Sequence, residues 1–149
     1  MHKYILLLLI ASLFGTNIQA YEKHTGTIVI DKAHNLYWQD DFSSQKSSED
    51  WDDAVAFCDN LDLAGITHWR LPTFHELFSI TDYSRKTPID PAFTYLNDGS
   101  YWTSTPFAAN KSRAWTIDFH TGETYYSYKT TNHAVRCVKE ISKTTKGQR

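Results

Sequence analysis

The stretch Trp51-Asp52-Asp53-Ala54-Val55-Ala56-Phe57-Cys58-Asp59-Asn60-Leu61 sets the frame for the rest of the chain. Trp51, Ala54, Val55, Cys58 and Leu61 recur at the spacing of one helical face, which predicts an amphipathic helix over residues 51–61. Ser48 is its predicted N-cap. Glu49, Asp50, Asp52 and Asp53 put carboxylates in or before the first turn, where they favour the helix dipole. Cys58 therefore falls on the buried face. The chain has one other cysteine, Cys137. Even parity and wide spacing favour a single intramolecular bond between the two, given an oxidising compartment. No CxxC pair exists, and two isolated thiols do not make a zinc site.

The N-terminus predicts that compartment. His2 and Lys3 give a charged start, Ile5 to Phe14 an apolar run broken only by Ser12, and Ala20 a small residue at a cleavage point. Residues 1–20 read as a secretory signal peptide. The apolar run is shorter than the roughly 20 residues a membrane span needs. No Cys follows it to carry a lipid, and no second long apolar stretch occurs, so no transmembrane span is expected in the mature chain. The expected destination is the periplasm or the exterior. Residues 21–140 read as one domain, and residues 141–149 as a basic, disordered tail with Lys143, Lys146 and Arg149. A net charge of −2 gives no broad attraction for nucleic acid. Five Trp and nine Tyr supply large areas to bury, and core packing is the first explanation for them.

Outside the central helix, residues 25–30 (TGTIVI) and 35–39 (NLYWQ) read as strands around a turn. Residues 43–50 are polar and loop-like. Thr73 followed by Glu76 is a capping box that opens a second helix over residues 74–82, with Phe74, Leu77 and Phe78 as its buried face. Residues 86–99, with Pro88, Pro91 and Asn97-Asp98-Gly99, form a long connection. Period two then takes over. Residues 101–104 are a short strand; residues 114–119 put Trp115, Ile117 and Phe119 on one face. Thr121-Gly122 turns into a hairpin partner over 123–129, and residues 133–139 close the sheet with Val135 and Cys137 on one side. This order predicts an α+β domain with both termini in one sheet.

Several ordered blocks resemble the C-terminal domain family of the Legionella collagen-like adhesin, a bacterial family of poorly known function. The blocks are Leu36-Tyr37-Trp38-Gln39, Trp51-Asp52-Asp53-Ala54 leading to Cys58, Leu63-Ala64-Gly65, Trp69-Arg70-Leu71-Pro72 with Glu76-Leu77, and Ile89-Asp90-Pro91-Ala92-Phe93. Tyr101-Trp102-Thr103-Ser104-Thr105, Ala114-Trp115 and Val135-Arg136-Cys137-Val138 complete them, so the resemblance spans residues 25–139. That family is similar to C-type lectin-like and sulfatase-modifying-factor domains. The resemblance implies a C-type lectin-like fold, with two helices flanking a twisted antiparallel sheet and a long loop region above it. It also implies a disulfide from the first helix to the final strand. No Gly-X-Y repeat occurs, so a collagen-type stalk does not carry over.

The Trp69-Arg70-Leu71-Pro72 block reads as structural: Trp69 and Leu71 pack, Pro72 restricts the entry to the second helix, and Arg70 pairs with a carboxylate. Glu76 is explained by capping alone. His75-Glu76 would suggest a zinc site only with a second His at position 79, which is Ser79. No metal ligands are assigned. Asp90, Asn97 and Asp98 are the weak calcium candidates, because a calcium site gathers oxygens in one loop. The Glu-Pro-Asn and Trp-Asn-Asp signatures of sugar-binding lectins are missing, and ordinary turn chemistry accounts for all three residues. No cofactor is otherwise called for, and no catalytic residue can be named. The candidate binding residues are Tyr125, Tyr126 and Tyr128 on one strand, of which at least one must face away, with Lys111, Arg113 and Lys129 nearby. Aromatic faces stack on sugars, and basic groups hold anionic substituents.

The expected function is an exported, non-catalytic binding module for a glycan or an envelope protein. The alternatives are an envelope enzyme or accessory factor related to the sulfatase-modifying proteins, and a structural envelope component.

Overall fold

Leu36–Gln39 carries Trp38 inward, and its neighbours fix the first sheet. This computed structural model describes residues 19–142. All but the last two residues of the expected signal peptide, and the tail from Lys143 onward, lie outside the described residues. Strands β1 (Tyr21–His24), β2 (Ile28–Asp31), β3 (Leu36–Gln39) and β7 (Val138–Glu140) form one antiparallel sheet in the order β1-β2-β3-β7. Strands β4 (Ser100–Pro106), β5 (Arg113–Asp118) and β6 (Thr124–Tyr128) form a second, in the order β4-β5-β6. Between β3 and β4 lie α1 (Phe42–Lys46), α2 (Trp51–Asp59) and α3 (Phe74–Ser79). The chain is α+β, as the element order predicts.

The arrangement differs from the expected single sheet with two helices. Residues 133–139 do close the fold, but as a link between two sheets. The Ala134 carbonyl accepts from the Trp102 amide at 3.0 Å, and Val138 pairs with Trp38. The extra helix α1 arises where the sequence reads as loop. Asp41 caps it, accepting from the Ser44 amide at 3.0 Å, while its own amide donates to the Ser44 hydroxyl. Five serine-rich residues are too few to show periodicity. The strand expected at residue 25 starts at Ile28, because Thr25 and Gly26 take positive φ (56° and 80°) in the β1–β2 turn.

Helix α2 begins two residues later than a Ser48 cap would allow. Asp50 caps it instead, accepting from the Asp53 amide at 3.0 Å. Helix α3 ends at Ser79 rather than 82, since the buried Ile80 leaves the helix and its carbonyl accepts from the Asp90 amide of the long connection at 2.9 Å. Two residues expected inside are not: Val55 is 38% exposed and Phe78 39%. In β5, Ala114 and Thr116 are buried as well as Ile117, and Trp115 only partly, because both faces of this middle strand are covered.

The core has two compartments. One gathers Trp38, Leu77, Ile80, Phe93, Tyr101 and Phe119. The other gathers Ile28, Ala54, Trp69, Trp102 and Val135 around the Cys58–Cys137 disulfide, whose Cα atoms lie 5.5 Å apart. The bond joins α2 to the residue preceding β7, as parity and spacing predict.

A fully buried ion pair occupies the interior. Asp40 accepts from Arg136 Nη1 at 3.0 Å, from Lys23 Nζ, and from the Thr94 and Tyr95 amides at 2.9 and 3.0 Å. Arg136 also donates to the Gln39 and Tyr95 carbonyls and lies over the Phe93 ring at 5.0 Å. The long connection is thereby tied to the end of β3 through charge and backbone together.

Removing one partner of such a pair strands the other charge without solvent. Asp40→Ala should lower unfolding free energy by about 3–5 kcal/mol in urea titration; a loss under about 1 kcal/mol would contradict this role. Cys58→Ala/Cys137→Ala should cost about 4–5 kcal/mol from loop entropy alone, read by the same titration.

Candidate functional site

Two surface features collect the residues that could meet a ligand. The first adjoins the Trp69–Pro72 block. Trp69 is buried and donates Nε1–H to the Ile66 carbonyl at 2.7 Å; Leu71 and Pro72 are buried beside it. Arg70 pairs through its backbone with Val138 in both directions, at 2.9 and 2.8 Å. Its guanidinium makes a bidentate contact with Glu76, both bonds 2.8 Å, and a further bond to Glu140 Oε1 at 2.9 Å. Arg70 thus finds a carboxylate partner, as expected, and finds two.

Glu76 does more than the capping assigned to it. It accepts from the Thr73 amide at 2.7 Å, completing the capping box, and holds Arg70 with the same carboxylate. Burial pushes the Glu76 carboxyl up, but the Arg70 hydrogen bonds and the Thr73 amide outweigh burial and bring it below its ordinary 4.5. Arg70 likewise lowers Glu140. The clamp joins the start of α3 to β7 and leaves Arg70 no spare charge.

An open groove of about 520 Å³ runs between this block and α2. Asp52, Val55, Ala56 and Asp59 form the helix wall; Trp69, Arg70 and Leu71 lie opposite, with Trp51 and Ser104 completing it.

The second feature is an aromatic strip on β5 and β6. Trp115 pairs with Tyr126 and Arg113 with Tyr128 across the two strands. The Tyr126 ring stacks on Phe107 with centroids 4.0 Å apart and planes 7° apart, and meets Trp115 edge-on at 5.6 Å. Phe74 of α3 extends the strip from Trp115 at 5.4 Å to Phe78 at 5.8 Å, and Tyr83 follows Phe78 at 6.3 Å. Arg113 lies 4.1 Å above Tyr128 and donates to its hydroxyl at 2.6 Å. No carboxylate reaches Arg113 within ion-pair distance among the described residues. Tyr126 and Tyr128 are 45% and 51% exposed.

The six candidate binding residues therefore separate. Arg113, Tyr126 and Tyr128 come together. Tyr125 points away from them, as alternation requires, and donates its hydroxyl to Glu123, which raises its own ionisation above the ordinary tyrosine value. Lys111 sits exposed in the β4–β5 turn. Lys129 turns toward α2, with Nζ 3.8 Å from the centroid of the Trp51 ring. Phe107, Trp115, Phe74, Phe78 and Tyr83 are not marked for binding by the sequence. Phe74 and Trp115 are far apart along the chain, so only the fold brings them together. Period-two alternation at 113, 115, 126 and 128 is the signal that points to the strand part of the strip.

Two of the three calcium candidates already make hydrogen bonds. Asp90 accepts from the Ala92 amide at 2.9 Å; Asn97 accepts from the Gly99 amide at 2.8 Å and donates to the Gln45 carbonyl at 2.7 Å. Asp98 is exposed. The Asp90–Ala92 and Asn97–Gly99 bonds are ordinary turn chemistry, while the Asn97–Gln45 bond ties the long connection to α1. No cluster of three His, Cys, Asp or Glu suited to a metal ion occurs among the described residues.

The clamp sets a pH dependence. Because the Glu76 carboxyl is lowered by folding, its contribution is present above its unfolded value near 4.5 and is lost as pH falls through the folded one. Glu76→Gln should therefore flatten the stability–pH curve below about pH 4.5, measured by thermal melts from pH 6 to about 3. A variant curve parallel to the wild type would show that the clamp adds nothing to acid sensitivity.

No curated protein matches this chain. The family model of the Lcl C-terminal domain matches residues 27–139, from the threshold of β2 into β7. That span takes in most of both core compartments, the disulfide, the Arg70–Glu76 pair, the groove and the aromatic strip. The chain belongs to the Lcl C-terminal domain family.

Proposed function

We propose that this protein is an exported, non-catalytic binding module of the cell envelope that holds a sugar-bearing ligand on the Arg113–Tyr126–Tyr128 strip. The observation that carries the reading is the pairing of two half-exposed tyrosines with a cation that has no carboxylate partner among the described residues. Aromatic faces cover the apolar C–H faces of a sugar ring, and a guanidinium gives paired N–H donors to a carboxylate or other anionic substituent. Tyr126 is held at a fixed angle by Phe107 and Trp115, so little side-chain freedom is lost when a ligand settles on it.

Export is supported by the signal-like N-terminus and by a disulfide that suits an oxidising compartment. Among the described residues no helix is long and apolar enough to cross a membrane. A C-type lectin-like arrangement is our finer reading of the α+β fold, supported by helices set against antiparallel sheets with a long connection pinned between them. Both cysteines are taken up by the disulfide, so thiol chemistry like that of sulfatase-modifying proteins has no residue here to support it. A protein partner is the second reading, favoured by the place of β6 at the edge of its sheet.

A glycan array run with and without calcium tests the main reading. The wild type should bind at least one sugar class, and Tyr126→Ala and Arg113→Ala should each weaken it about tenfold. No binding in either condition, or unaltered binding by both variants, would overturn it. Mass mapping of the exported protein should give a chain beginning at Tyr21 with one Cys58–Cys137 peptide under non-reducing conditions. Retention of the full-length chain in the cytoplasm would refute export.

A further inference from the structure

The groove beside α2 shares no residue with the aromatic strip, and its chemistry is different. Asp52, Val55, Ala56 and Asp59 stand at i, i+3, i+4 and i+7, so one stripe of the helix faces it. The core is served by a separate stripe, Ala54 and Cys58. Val55 is therefore an apolar side chain that the core does not use, set between two carboxylates and facing Trp69 and Leu71 across open space. No cation pairs with Asp52 or Asp59 among the described residues. Arg70 borders the groove, but Glu76 and Glu140 already hold it.

The charge around the groove is negative. Of the charged residues that line it, Asp52 and Asp59 stand against Arg70, whose charge Glu76 and Glu140 already answer. Lys129 shows how the Trp51 ring behaves: it already has an ammonium 3.8 Å from its centroid. Apolar walls with anionic ends suit a ligand that is apolar along its length and cationic at its tip. An anion would meet Asp52 and Asp59 on entry. The volume, about 520 Å³, is ample for one such side chain and its flanking backbone.

We infer that this groove binds a lysine side chain of a partner polypeptide, its methylene stem against Val55 and Ala56, over the edges of Trp69 and Leu71, and its ammonium held at one end of the stripe by Asp52 or Asp59. The stem's four carbons bury on the apolar walls while the head stays at the solvated rim, the usual division of labour in a long basic side chain.

The capped peptide Ala-Ala-Lys-Ala-Ala is the probe, with the norleucine peptide as its uncharged match. Titration into the mature protein is followed by the indole N–H NMR signals. The lysine peptide should move the Trp51 and Trp69 signals and leave Trp38, in the separate core, unmoved. The norleucine peptide should bind about fivefold more weakly, and Asp52→Asn/Asp59→Asn should lose about fivefold to tenfold for the lysine peptide. Both aspartates are exposed, so this variant keeps the fold, which the unmoved Trp38 signal verifies. Equal binding of the two peptides would overturn the inference. So would a double variant that binds as the wild type does, or no shift at about 10 mM peptide. Shifts confined to Trp115 would also overturn it, while leaving the sugar-binding reading of the strip standing.

Discussion

The pairing of Asp40 with Arg136 is the constraint on which the rest of this structure depends. Both side chains are fully shielded from water, and a charge in that position must be answered by others. The answers come from distant segments: Lys23 from β1, the Thr94 and Tyr95 amides from the long connection, and the Gln39 carbonyl from the end of β3. Phe93 and Tyr101 lie against the Arg136 guanidinium. Such a centre contributes less net stability than an apolar one of equal volume could. Its effect here is positional, because the long connection can take few courses that satisfy both carboxylate oxygens.

The disulfide and the Arg70 clamp act on the same region from the other side. Cys137 follows Arg136 directly, and Val138, one residue further, exchanges two backbone bonds with Arg70. Three consecutive residues are thus fixed by a salt bridge, a covalent bond and a backbone pair. This short segment joins the two sheets, and the groove and the aromatic strip lie on elements that it holds in place. The glycine at position 122 shows similar tightness near the strip. A Cβ there would come within 2.7 Å of the Tyr83 ring, whose hydroxyl donates to the Gly122 carbonyl.

Much of the fold is legible in the sequence where periodicity is long enough to be read. The stretch from Trp51 shows a helix because its pattern runs for more than two turns. Thr73 and Glu76 announce the next helix through a pair of side chains that cap it. The five-residue α1 carries no such pattern, and Ser48 and Asp50 are equally good caps, so only the course of the chain decides between them. Arg136 illustrates a deeper limit. Alternation places Val135 and Cys137 inward, yet Arg136 between them is buried too. Period two holds for a strand with one wet face, and here the chain passes between two cores. The site follows the same rule. Alternation separates Tyr125 from Tyr126 and Tyr128, while Phe74 and Phe107 join Trp115 through tertiary packing. Val55 matches the helix period but not the core, because a helical stripe is defined by spacing and its neighbour is chosen by the fold.

The position of β7 bears on how the molecule comes into being. Polypeptides are made from the N-terminus, and β3 waits, with one side unpaired, until Val138 arrives about a hundred residues later. Cys58 meets its partner no sooner, and Asp40 stays without its guanidinium until the same moment. A ribosome-bound chain can form the β1–β2–β3 meander and its short helices, but neither core compartment can close around them. Completion is therefore a single late event rather than a stepwise accretion. A chain cut short anywhere before Arg136 would have to expose the apolar faces of both sheets, and would be a substrate for chaperones and proteases rather than a smaller version of the same domain.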